Sequence, residues 1–110
     1  MGLLHYAPVR TRIKICGLTR EADVAHTVAA GADAIGFVLY PPSPRAVSIE
    51  RMAALASTLP AFVTPVLLFV NADPAEVRAA CEAAPQALLQ FQGDETPAYC
   101  AQFKRPYLRA

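Results

Sequence analysis

The sequence has no tryptophan, and its only histidines are His5 and His26. Its three cysteines, Cys16, Cys81 and Cys100, are an odd number at long spacings, with no CxxC pair. That pattern argues against a disulfide framework and against a zinc site, and it suits a reducing compartment, by default the cytoplasm. No apolar run approaches the ~20 residues that span a bilayer. Net charge is +1, with no basic cluster interleaved with aromatics, so nucleic acid is not an expected partner. The opening "MGLLHYAPVR" lacks the basic and long apolar regions of a secretory signal, and Tyr6 breaks the myristoylation pattern. Residues 1–10 are therefore read as a disordered leader and 11–110 as one domain. No Ser/His/Asp arrangement, paired carboxylate or GxGxxG loop is visible.

What is present is apolar matter in a regular rhythm. Hydrophobic residues make up 55% and charged ones 17%, the balance of a compact fold. "RIKIC" (12–16) is a short strand-like run. The helical spacing of 20–32 follows, with Thr19 as the expected N-cap and Gly31 at the end. "DAIGFVLY" (33–40) reads as a buried strand, and "PPSPR" (41–45) must be loop. The alternation continues with a helix over 48–58 capped by Ser48, and a strand over 65–70. A helix over 74–84 has Pro74 in its first turn, and a strand over 87–92 follows. A short helix over 96–103 leads to a fifth strand opening at 106–110.

Strands apolar on both faces and separated by helices of about ten residues indicate a parallel sheet of βα units. Short connections place consecutive strands side by side, which favours a (βα) barrel; a five-stranded flavodoxin-like sheet is the structural rival.

In either fold a ligand lies at the carboxyl ends of the strands. Those ends are Cys16-Gly17, Tyr40 to Arg45, Asn71 and Gln92-Gly93, where small, polar and reactive residues gather. Cys16 has two readings, a small buried hydrophobe or a reactive thiol at a pocket mouth. A free thiol ionises with a pKa near ~8.5, and Lys14, two residues earlier on the same strand face, would raise its thiolate fraction. Arg45 is either a solvated surface arginine or a fork for a carboxylate or phosphate. Gln92 either bonds a ligand or ends its strand without a role. Asp33 and Asn71 are expected to tie loops, and His26 to be structural. No residue stands out as the general acid that a cysteine base would need.

With these residues in place, the sequence resembles the N-terminal half of phosphoribosylanthranilate isomerase, a family of tryptophan biosynthesis. The resemblance rests on "KICGLT" (14–19), "GADAIGFVLYPPSPR" (31–45), "LLFVN" (67–71) and "LLQFQGDE" (88–95), four motifs in order over about residues 12 to 96. It implies a (βα)8 TIM barrel of which about the first four βα units are present. It also implies an Amadori aldose–ketose rearrangement of N-(5-phosphoribosyl)anthranilate, with neither cofactor nor metal. Cys16 would be the general base that removes the proton from ribose C2, and Arg45 the contact for the anthranilate carboxylate. The general acid would be an aspartate of the second half of the barrel, where the phosphate site also lies. The family's strand 4 motif has histidine where this chain has Gln92, so substrate positioning is expected to differ there.

A full barrel needs about 200 residues or more. A half-barrel leaves sheet edges and an apolar face uncovered. The chain is accordingly expected to be a partial record or fragment of the isomerase, forming a homodimer or completed by a second half-barrel. The alternative is a non-catalytic, self-associating half-barrel module.

Overall fold

The computed structural model describes residues 10–110, so the leader read over 1–10, with His5, lies outside the described residues except for Arg10. Five strands alternate with four helices: β1 (Lys14–Cys16), α1 (Glu21–Ala29), β2 (Ala34–Val38), α2 (Ile49–Ala56), β3 (Thr64–Phe69), α3 (Pro74–Ala83), β4 (Leu88–Phe91), α4 (Pro97–Ala101) and β5 (Tyr107–Arg109). All neighbours pair in parallel, in the order β1-β2-β3-β4-β5. That order removes the flavodoxin-like rival, in which the first strand would lie between the second and third.

Strand alternation separates two faces. Ile35, Phe37, Leu67, Phe69, Leu89 and Phe91 point to the helices and join Val24, Met52, Leu55, Val77 and Cys100 in one core. Lys14, Cys16, Gly36, Val66, Leu68 and Gln90 occupy the opposite face. This second face is concave. In a flat sheet β1 and β4 would lie about 14 Å apart, three strand spacings, and the register would set Gln90 four residues further along than Lys14. That is more than the two side chains can bridge, yet the Lys14 ammonium donates directly to Gln90 Oε1. The sheet curls as a barrel wall does.

Local chemistry sets the helix ends. The Ser48 side chain accepts from Arg51 N, Asp73 accepts from Ala75 N ahead of Pro74, and Thr96 accepts from Tyr99 N. Gly31 follows α1 at φ +98, where only glycine is unstrained. The expected cap of α1 is a correction: the N-cap is Arg20, with no side-chain cap bond, and the Thr19 carbonyl instead accepts from Arg51. Arg20 and Asp23 pair across the first turn, so the acidic side chain there is engaged by its own helix.

Two ion pairs tie α2 to α1 and the segment before β1 to the loop before β2. Arg51 of α2 grips Glu21 of α1 through both nitrogens, at 2.5 and 2.8 Å. Asp33 ties its loop as expected, accepting from Arg10 and from Ile13 N. The hydrogen-bonded Arg51 holds Glu21 at about 2, and the Arg10 bond followed by the Ile13 N–H holds Asp33 at about 2. Both values lie below those of free carboxylates, so each group stabilises the fold at neutral pH. That contribution is lost as pH falls from about 4.5 through about 2. Glu21→Gln and Asp33→Asn are expected to flatten the decline in urea midpoint between pH 5 and pH 2; an unchanged decline in the double variant would remove these carboxylates from the account.

Candidate active site

The carboxyl ends of the strands carry a ring of polar groups, and each is placed by its own backbone. After β2 the proline-rich loop turns back on itself. Arg45 N donates to Ser43 Oγ at 3.1 Å and Val47 N to Val38 O at 2.9 Å. This closure sends the Arg45 side chain across to β1, where Nη1 donates to the Cys16 carbonyl at 3.1 Å. Cys16 and Arg45, 29 residues apart, thus meet at one point of the rim.

Two glycines make room for that meeting. Gly17 has φ +85, and a Cβ there would lie 2.3 Å from Arg45 Nη1. Gly36 is the register partner of Cys16 on β2, and a Cβ on it would lie 2.8 Å from Cys16 Sγ. The thiol therefore occupies space that any other residue at position 36 would take. Cys16 is half-buried at the rim, outside the helix-side core. Gly17→Ala is expected to displace the guanidinium and to lower stability by about 1–2 kcal/mol through the left-handed backbone alone. Urea unfolding checks this, and a variant as stable as the parent would show that the loop yields freely.

The far side of the rim is pinned by Glu95, which is 7% exposed and accepts from Asn71 N and Gly93 N, both at 2.8 Å. Asn71, at φ 49, accepts from Asp94 N through Oδ1 and so ties the β3 and β4 loops as expected. From β5, Arg109 donates to the Gly93 carbonyl at 2.7 Å.

Lys14 and Gln92 are joined by a residue that the sequence reading passed over. Gln90, 8% exposed, accepts from Lys14 through Oε1 and donates through Nε2 to Gln92 Oε1 at 3.1 Å. Its signal was present: a lone amide within the apolar "LLQF". The Lys14 head, expected beside the thiol, is directed across the concave face to this amide. His26 is exposed on α1. Cys81 and Cys100 lie buried in the helix-side core, and burial raises both thiols above the ordinary range.

Parallel strands in sequential order, curled so that the first touches the fourth, with polar side chains gathered at their carboxyl ends, define the first part of a (βα) barrel. The chain belongs to the N-(5'-phosphoribosyl)anthranilate isomerase family, whose profile, described as "N-(5'phosphoribosyl)anthranilate (PRA) isomerase", matches residues 13–109. It is 68% identical over 102 residues to the N-(5'-phosphoribosyl)anthranilate isomerase of Methylibium petroleiphilum, covering 93% of this chain and 48% of the relative. The crystal structure of phosphoribosyl anthranilate isomerase from Thermotoga maritima superposes with a TM-score of 0.86 at 34% identity, covering 91% of this chain and 50% of the other. A second crystal structure, of phosphoribosyl anthranilate isomerase in complex with reduced 1-(o-carboxyphenylamino)-1-deoxyribulose 5-phosphate, matches with a TM-score of 0.86 at 34% identity, covering 91% of this chain and 53% of that one. The chain spans about half the length of the curated relatives it matches.

Proposed function

We propose that this chain supplies the thiol side of a phosphoribosylanthranilate isomerase site. The observation that carries the reading is the convergence of Cys16 and Arg45 at one rim position, held open by Gly17 and Gly36. The family profile over residues 13–109 supports it. Arg45 would take the anthranilate carboxylate, since its planar fork matches two oxygens. An acid from outside residues 10–110 would protonate the ribose ring oxygen and open the ring to an iminium. The Cys16 thiolate would then take the proton from C2, leaving an enolamine that tautomerises to the ketose. A C–H beside an iminium is acidic enough for a positioned thiolate to remove it. Lys14 belongs to the floor of the site and Gln92 to its wall.

The partners that follow are a small phosphosugar–anthranilate substrate and a completing second half of barrel, with a homodimer as the other way to cover the concave face. Among the described residues no helix is long and apolar enough to cross a membrane. Three free cysteines suit a reducing compartment, and the cytoplasm is the proposed location. The test is loss of anthranilate fluorescence with the purified chain, alone and mixed with the second half of a relative's barrel. Turnover is expected once the barrel is complete. A completed barrel that binds substrate and does not turn it over would leave the chain as a silent, self-associating module.

A further inference from the structure

We infer that Lys14 and Gln90 together fix the polarity of Gln92, so that its side-chain NH2 stands free at the rim as an uncharged donor to an oxygen acceptor of the substrate. The relay follows from donor and acceptor inventory. A lysine ammonium has three donors and no acceptor, so only the oxygen of the Gln90 amide can face it. Gln90 Oε1 accepts from Lys14, which turns Nε2 toward β4's end. That Nε2 donates to Gln92 Oε1 at 3.1 Å. Gln92's own oxygen is then occupied, and its two N–H groups, which meet no acceptor among the described residues, remain for the ligand. An all-donor group on β1 thus dictates, through one buried amide, what the end of β4 offers.

The surroundings hold this arrangement in place. Gln90 is buried, and reversing its amide would set an NH2 against an ammonium while leaving its oxygen facing the Gln92 oxygen, so both bonds of the relay would be lost. The backbone on either side of Gln92 is held by Gln92 N to Phe69 O at 2.9 Å, and by Arg109 on Phe91 O and Gly93 O. The charged groups around the row are Lys14 on β1, Arg45 through the Cys16 carbonyl, Arg109 on β5 with its guanidinium on backbone carbonyls, and Glu95 with both oxygens on backbone N–H groups. From β3, Val66 and Leu68 line the same face and compete for no hydrogen bond. A neutral donor of this kind suits a sugar hydroxyl or carbonyl oxygen, whereas the anionic end of the ligand falls to Arg45.

The identity of the ligand rests on the isomerase reading; the polarity of the relay does not, and two measurements separate them. Hydrogen exchange of the side-chain amides, followed by NMR on the chain itself, should show the Gln90 NH2 at least about tenfold slower than the Gln92 NH2, with the difference lost in Lys14→Met. A Gln92 NH2 slower than that of Gln90 would overturn the relay. In the completed barrel, Gln92→Glu keeps the acceptor and loses the donor, and kcat/KM should fall about tenfold, the worth of roughly one hydrogen bond. Gln92→His should keep both functions while its imidazole is neutral. Its activity relative to the parent should be level above pH ~7 and fall below ~6.5, where the ring can no longer accept from Gln90. A Gln92→Glu variant as active as the parent would overturn the donor role. A parent barrel without turnover would overturn the ligand assignment, while amide exchange would still decide the relay.

Discussion

Cys16→Ala is expected to lower kcat of the completed isomerase by about 10²–10⁴-fold, the range that a positioned general base contributes. In the proposed reading the Cys16 thiol is the base; its backbone carbonyl accepts from Arg45, and the chain makes space for the thiol at the expense of a side chain on β2. Alanine removes the base and leaves the Arg45 bond to the Cys16 backbone carbonyl untouched, so KM should change far less than kcat. Iodoacetamide gives the same site by another route. Cys16 is half-buried at the rim, while Cys81 and Cys100 lie in the core with ionisation disfavoured by burial. One equivalent of label should therefore abolish turnover and map to Cys16. A Cys16→Ala barrel with kcat within a few-fold of the parent would assign the proton transfer elsewhere.

The largest effect on stability is expected from Phe91→Ala, a loss of about 3–5 kcal/mol. Phe91 is fully buried at the end of β4 and is the hub of an aromatic cluster. It meets Phe69 at 6.2 Å, Tyr99 edge-on at 5.5 Å, Phe103 at 5.8 Å and Tyr107 at 6.0 Å between ring centroids. These contacts join β3, β4, α4 and β5, so the cavity left by alanine would open where several elements depend on one ring. Domains of this size have about 5–15 kcal/mol in total, and the variant should unfold at much lower urea or fail to accumulate. Phe91→Leu, which keeps most of the volume, should cost distinctly less. A Phe91→Ala midpoint displaced by under about 1 kcal/mol would show that α4 and β5 pack independently of this ring.

Much of the architecture was legible because local signals and global fold agree. Ser48 and Asp73-Pro74 start helices where their side chains can cap, and Gly31 ends one where the backbone turns left-handed. Thr19 misled because a threonine just before an acidic turn is an ordinary cap, and nothing local says that its carbonyl is claimed by Arg51, 32 residues on.

For the candidate site, residue chemistry nominated the members, and tertiary structure determined which of them touch. Cys16, Arg45 and Gln92 stand at strand ends in any parallel α/β reading, because loops after the strands are where side chains are free of the ladder. That Arg45 reaches Cys16, and that Gly17 and Gly36 leave room for both, depends on the closure of the 39–47 loop and on the β1–β2 register. Lys14 shares a strand face with Cys16 by alternation alone, but its bond to Gln90 exists only because the sheet curls enough to bring β1 to β4. The sequence by itself determined the order of the elements, the parallel sheet and the chemistry of the rim, since these follow from periodicity and residue type over short spans. Only the tertiary structure decided which rim groups touch and which way the Gln90 amide faces, since curvature and register are properties of the whole sheet.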